Sequence, residues 1–136
     1  MYTILIVDDE RPAQTFLKAI CQKYCPAFDT ILLSGSADDA LRLMAQQHVH
    51  VLVTDISMPG INGIELAQRV RQLYPRTHTV IVSGYAEFEF ARGAIQAGVD
   101  DYLLKPVAYE RLAQLLDELS SMRPAATDEL VIKTSF

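Results

Sequence analysis

Apolar runs that stop abruptly at polar or charged residues dominate the pattern of this chain. Ile4-Leu5-Ile6-Val7 runs into Asp8-Asp9, Val51-Leu52-Val53-Thr54 into Asp55, Val80-Ile81-Val82 into Ser83, and Tyr102-Leu103-Leu104 into Lys105-Pro106. Their shortness and β-branched content predict strands. They are continuous rather than alternating in polarity, as expected of strands covered by helices on both faces. A weaker run, Thr30 to Ser34, predicts a further short strand.

Between these runs the period changes to that of a helix. Phe16, Leu17, Ile20, Cys21 and Tyr24 form a stripe that follows Arg11-Pro12 and ends at Pro26; proline is tolerated in a first helical turn. Ser36 is placed to cap a second helix with Ala40, Leu41 and Met44 inward. Asn62 with Glu65 resembles a capping box and opens a third helix through Leu66, Val70 and Leu73. A fourth carries Phe88, Ala91 and Ile95 and closes at Gly98, and a fifth is built on Leu112, Leu115, Leu116 and Leu119. Five strand–helix units in one small domain predict an α/β fold with a doubly wound parallel sheet. From about Met122 the pattern stops, so residues 1–121 read as one domain and 122–136 as a linker or tail.

Composition narrows the classes. With 136 residues, 50% of them hydrophobic, there is enough chain for one full core. No apolar run approaches the roughly 20 residues that span a bilayer, and the start shows no basic leader, so a cytoplasmic protein is expected. Twelve basic against 17 acidic residues give a net charge of -5, which argues against direct nucleic-acid binding by this domain. Cys21 and Cys25, four positions apart with no other cysteine present, read as small apolar side chains on a buried face rather than as a metal or redox pair. His48, His50 and His78 are too scattered to suggest a metal centre and read as surface or partly buried residues.

If the runs are parallel strands of one sheet, the polar residues that end them all fall at its carboxyl edge, where open α/β sheets bind ligands. Asp8, Asp9 and Asp55 would put three negative charges in a small space, and carboxylates that close raise one another's pKa unless a cation joins them. A hard divalent ion such as Mg²⁺ takes oxygen ligands and retains waters that a phosphate can displace. Asp55 could then act as a nucleophile on phosphorus, with the Ser83 hydroxyl and the Lys105 ammonium meeting the phosphoryl oxygens. Singly, each of these residues has a plainer reading: Asp9 a helix cap, Lys105 a solvated strand-end charge, Ser83 a turn residue. Together at one edge they describe a phosphoryl-accepting site.

The motifs Ile4-Leu5-Ile6-Val7-Asp8-Asp9-Glu10, Asp55-Ile56-Ser57-Met58-Pro59-Gly60-Ile61-Asn62-Gly63, Ser83-Gly84 and Tyr102-Leu103-Leu104-Lys105-Pro106 closely resemble the receiver domain of two-component response regulators, over roughly residues 2 to 121. The resemblance implies a flavodoxin-like five-stranded sheet in the order 2-1-3-4-5 with five helices. It implies that Asp55 is the phosphoacceptor and that Asp8 and Asp9 hold Mg²⁺ together with Asp55 and the Ser57 backbone carbonyl. It also implies that Lys105 contacts the phosphoryl group, that Ser83 and Tyr102 are paired switch residues, and that the Lys105–Pro106 bond is cis. The partner would be a histidine kinase. The chain would be a phosphoacceptor that assists its own phosphorylation and dephosphorylation rather than an enzyme. Its output would act through the face made by the fourth helix, fifth strand and fifth helix, with a homodimer as a consequence of phosphorylation.

Gly84 to Ala91 and Ala97 to Tyr102 further resemble receivers that precede an AraC-type helix-turn-helix output domain, which is absent from these residues; the chain reads either as an excised receiver, which the irregular tail favours, or as an unusual stand-alone one. The residues flanking the acyl phosphate, Ser57 and Tyr85, would govern water access, Tyr85 as a shield. Two other classes compete. A Mg²⁺-dependent phosphohydrolase would need an acid/base carboxylate two residues past Asp55, where Ser57 stands, and a substrate cap for which there is no room. A scaffold that binds partners without phosphorylation would not need a complete set of site residues.

Overall fold

The computed structural model describes residues 2–84 and 88–121. Strands and helices alternate without exception: β1 (Tyr2–Val7), α1 (Arg11–Tyr24), β2 (Phe28–Ser34), α2 (Ala37–Gln46), β3 (Val51–Thr54), α3 (Gly63–Leu73), β4 (His78–Ser83), α4 (Phe88–Ala97), β5 (Asp101–Leu104) and α5 (Tyr109–Ser121). The sheet is parallel throughout, in the order β2-β1-β3-β4-β5. This is the predicted doubly wound fold in the predicted order. The reversal of direction between β1 and β3 puts a crevice at their carboxyl ends.

Continuous apolar strands still sort their side chains by the two-residue period. Ile4, Ile6, Val51, Val53, Val80, Val82 and Leu103 point to one face and pack with Leu17, Ile20 and Cys21 of α1 and Leu112, Leu115, Leu116 and Leu119 of α5. Leu5, Val7 and Leu52 point to the other and meet Ala40 and Met44 of α2 and Leu66 and Val70 of α3. Ile4, Leu5, Ile6 and Leu52 are wholly inaccessible, each contributing about 1.5–3 kcal/mol through burial. Cys21 and Cys25 are buried and unbridged, as apolar packing requires.

Local signals hold where they were read. The Ser36 hydroxyl accepts the Asp39 N–H at 3.1 Å, the Asn62 side chain accepts the Glu65 N–H at 2.9 Å, and Gly98 ends α4 with φ of 78°. Three helix faces differ from expectation. Phe16 and Tyr24 are 51% and 40% exposed, because Phe16 sits at the edge of the α1 stripe and Tyr24 in its last turn. Leu73, the last residue of α3, is 62% exposed. Among the described side chains of α4 the buried ones are Ala94 and Ala97, while Ile95 is 76% exposed. There Ala94 packs against Ile81 and Ile56, so small side chains that let the helix approach win over the larger one that hydropathy favours. The side chain of Phe88 lies outside the described residues.

Strands β2 and β4 begin two residues earlier than their apolar runs, at Phe28 and His78. Backbone pairing, not hydropathy, sets those starts: Tyr2 pairs with Phe28, Val51 pairs with His78, and the His78 N–H donates to the His50 carbonyl at 3.0 Å. His78 is correspondingly buried, more fully than the surface or partly buried place expected of it, its Nδ1 3.1 Å from Asp100 Oδ1. The expected linker or tail, 122–136, lies outside the described residues.

Candidate functional site

Because the strands are parallel, the residue after each one emerges at the same edge. The β1–β3 register pairs Val7 with Thr54, which sets Asp8 beside Asp55. The Asp55 N–H donates to the Val7 carbonyl and the Asp8 N–H to the Ser34 carbonyl, both at 3.0 Å. On the far side Ser83 pairs with Leu104, and the Lys105 N–H donates to the Ser83 carbonyl at 2.8 Å. Ser83 is fully buried one residue beyond the level of Asp55.

Lys105 closes the crevice. Its Nζ lies 3.1 Å from Asp8 Oδ2 and 3.3 Å from Asp55 Oδ2. The two carboxylates are nearly enclosed, their side chains 2% and 9% exposed, whereas the lysine is 30% exposed. Buried like charges repel strongly unless a cation lies between them, and here a tethered ammonium fills that place. Burial lowers the Lys105 pKa, but hydrogen bonding to Asp8 and the charges of Asp55 and Asp8 outweigh it and hold it above the ordinary value. The remaining oxygens are also engaged: Asp8 Oδ1 accepts the Glu10 N–H at 2.9 Å and Asp55 Oδ1 accepts the Ile56 N–H at 2.7 Å. The Lys105–Pro106 bond is cis, as the resemblance implied.

The carboxylates of Asp8, Asp9 and Glu10 gather with ligand oxygens within 4.8 Å of one another, Asp8 buried and the other two exposed. An all-oxygen, anionic donor set of this kind fits a hard cation such as Mg²⁺. Glu10 joins this cluster because the chain turns into α1 directly after it, with Glu10 as the N-cap residue. Ser57 is exposed and lines a groove with Asp9, Ile56, Met58, Pro59, Asn62 and Phe90. Tyr102 sits within β5 opposite Ile81, half-buried against the Ile56–Ile81–Ala94 cluster. The side chains of Asp8, Asp55 and Lys105 thus meet directly, Ser83 joins them through its backbone bond to Lys105, Asp9 and Ser57 share the adjoining groove, and Tyr102 lies on β5 opposite Ile81, two residues below Ser83. Tyr85, the expected water shield, is outside the described residues.

Two supporting residues had no assigned role in the sequence reading. The Gly63 N–H donates to the Ile56 carbonyl at 2.9 Å, and a Cβ there would stand 1.9 Å from the Asp55 carbonyl oxygen. Gln14 reaches from α1 to the backbone of Asp8. Both act on main chain, which leaves no mark in residue type.

Among the described residues no helix is long and apolar enough to cross a membrane. The family model of the response regulator receiver domain matches residues 4–117. The uncharacterized transcriptional regulatory protein YesN of Bacillus subtilis is 32% identical over 88% of this chain and 32% of its own length. The transcriptional regulatory protein HptR of Staphylococcus aureus is 36% identical over 88% of this chain and 46% of its own. The chain therefore spans half or less of the length of these relatives. A CheY-like receiver domain from Methanospirillum hungatei superposes with a TM-score of 0.77 at 28% identity, covering 88% of this chain and 96% of that one. The chain belongs to the response regulator receiver domains of two-component signalling, a family of switches rather than of classical enzymes.

Proposed function

We propose that Asp55 is the phosphoacceptor of this receiver, taking the phosphoryl group from a phosphohistidine of a histidine kinase. A carboxylate oxygen of Asp55 attacks phosphorus, the P–N bond to the kinase imidazole breaks, and an acyl phosphate forms. The observation that supports this reading most is the position of Lys105 Nζ, 3.1 and 3.3 Å from Asp8 and Asp55 at the sheet's carboxyl edge. Chemistry of this kind depends on placement and charge neutralisation more than on acid–base groups. Lys105 offers its ammonium, and Ser83 its hydroxyl, to the oxygens of the arriving phosphoryl group. Asp8, Asp9 and Asp55, with the Ser57 carbonyl, would hold Mg²⁺, which when bound offsets the charge of the phosphoryl oxygens.

The added group brings about -1.5 to -2 charge and new acceptor oxygens. Ser83 moves towards them, Tyr102 turns inward into the space beside Ile81, and the face of α4, β5 and α5 shifts between two packings that coexist beforehand. The relatives are transcriptional regulators longer than this chain, which supports an attached DNA-binding output, AraC-type by resemblance, and dimerisation through that face. The net charge of -5 argues against nucleic-acid contact by the domain itself.

The test is intact mass after incubation with acetyl phosphate and Mg²⁺. One phosphoryl group on the parent, none on Asp55→Asn and a large loss with Asp9→Ala are expected. Full modification of Asp55→Asn would overturn the assignment. Beryllofluoride should perturb NMR signals along α4, β5 and α5, and shifts confined to the neighbours of Asp55 would remove the proposed output route.

A further inference from the structure

Asp8 is held at every polar atom. Its N–H donates to the Ser34 carbonyl at 3.0 Å, its Oδ1 accepts the Glu10 N–H at 2.9 Å, and its Oδ2 meets Lys105 Nζ at 3.1 Å. The remaining atom is its carbonyl oxygen. In a continuing strand a neighbour's N–H would satisfy it, but β1 ends at Val7 and the chain turns away into α1. The carboxamide of Gln14 takes that place, its Nε2 donating to the Asp8 carbonyl at 2.7 Å and to the Ser34 carbonyl at 3.1 Å. Two amide hydrogens meet two backbone acceptors, so the nitrogen end must face the strands.

The contact lies next to the acid cluster in a way that matters. The Asp8 carbonyl belongs to the peptide that joins Asp8 to Asp9, so gripping it sets the plane from which the Asp9 side chain departs. Asp9 is exposed and its carboxylate makes no hydrogen bond or ion pair among the described residues, hence its position depends on that backbone. The clip also reaches the next loop. Ser34 Oγ donates to the Ser36 carbonyl at 2.9 Å, and Ser36 caps α2. One amide on α1 therefore ties the ends of β1 and β2 where the acidic residues emerge.

We propose that Gln14 is a positioning residue that preorganises the Asp8–Asp9 pair for its divalent cation. This rests on the phosphoacceptor reading but concerns a different residue and a different readout. Groups that orient metal ligands typically change metal affinity about 10–100-fold when removed. Gln14→Leu keeps the bulk and loses both donors. It should weaken Mg²⁺ binding, measured calorimetrically, about tenfold or more, while phosphorylation by acetyl phosphate at saturating Mg²⁺ stays near the parent rate. The amide NMR signals of Asp9 and Glu10 should shift in the metal-free variant. Gln14→Asn keeps the amide and the charge but is too short to span both carbonyls, so it should weaken Mg²⁺ binding as Gln14→Leu does.

A Gln14→Leu protein with a lowered melting temperature but a Mg²⁺ Kd within about twofold of the parent would overturn the inference. If Gln14→Leu does not fold, the Asn variant decides, and a Mg²⁺ Kd within about twofold of the parent there overturns it. A parent that binds Mg²⁺ yet takes no phosphoryl group refutes the phosphoacceptor reading and leaves the role of Gln14 in cation binding to stand or fall on the affinities.

Discussion

Replacing Gly63 by alanine should damage the site more than any other single methyl group added to this chain. Gly63 opens α3, and its ideal Cβ would lie 1.9 Å from the Asp55 carbonyl oxygen, 2.8 Å from the Asp55 carbonyl carbon and 3.0 Å from Ile56 Cα. All are backbone atoms, so no side chain can swing aside. Ordinary contact begins at 3.4 Å, and the difference means that α3 and the end of β3 must part by about 1.5 Å, a large shift for a close-packed interior. Asp55 is pinned from the other side, its N–H on the Val7 carbonyl at 3.0 Å and its carbonyl accepting the Thr54 hydroxyl at 2.9 Å.

If α3 yields, the buried contacts of Leu66, Ala67 and Val70 open, and overpacking of this kind costs about 1–3 kcal/mol. If Asp55 yields, a misplacement of about 1 Å at a reacting atom costs on the order of 10²-fold in rate. Thermal melting and the rate of acetyl-phosphate labelling separate the two routes, and at least one must show its loss. Gly93→Ala is the control. Its Cβ would lie 3.2 Å from Ile64 Cδ1, the end of a flexible side chain, and removing glycine from a helix interior gains about 0.5–1 kcal/mol. It should melt near or above the parent and label normally. A Gly63→Ala protein with parental melting and labelling would refute the geometry.

Two further outcomes follow from the charges. Lys105→Met leaves the Asp8 and Asp55 carboxylates, 2% and 9% exposed, without their cation; the cost should be roughly 1–3 kcal/mol, below the figure for a fully buried pair because the lysine is partly solvated. Added Mg²⁺ should therefore raise the melting temperature of the variant more than that of the parent, and a smaller rise would contradict the tethered-cation role. His50 accepts the Thr3 N–H at its Nδ1 (3.0 Å), and its pKa is held below the ordinary histidine value, first by burial and then by the charges of His48 and Arg76. The folded chain then binds fewer protons than the unfolded one, so stability falls as pH drops below about 6.5 and flattens once the folded pKa is passed. Melting curves of the parent and His50→Asn across that range should differ in slope, and parallel curves would exclude His50 as the source.

The residues of the proposed site were legible because several charged or hydroxyl residues, each ending an apolar run, fall together at one sheet edge. Asp8, Asp55, Ser83 and Lys105 announce themselves by contrast with the strands that carry them. The parallel alternation then follows from helical stripes between the runs, and with it the common edge. Misjudged positions share a different origin. Ile95 outweighs Ala94 on any hydropathy scale, yet α4 approaches Ile81 through the smaller residue. His78, expected at the surface or partly buried, is buried further because its backbone extends β4 beneath His50, with Asp100 receiving its ring. Neither fact is local, so neither is written in a window of sequence.

Gln14 and Gly63 were hidden for a stricter reason. Their partners are carbonyl oxygens of Asp8, Ser34 and Asp55, atoms that every residue possesses. A charge pair can be suspected from two residue types, because each is informative about the other. A contact between one side chain and another residue's main chain constrains only one of the two identities, and a contact made possible by a missing Cβ constrains it by absence. The chemistry of such a site is therefore readable well before its scaffolding, since the scaffolding is specified by the path of the backbone.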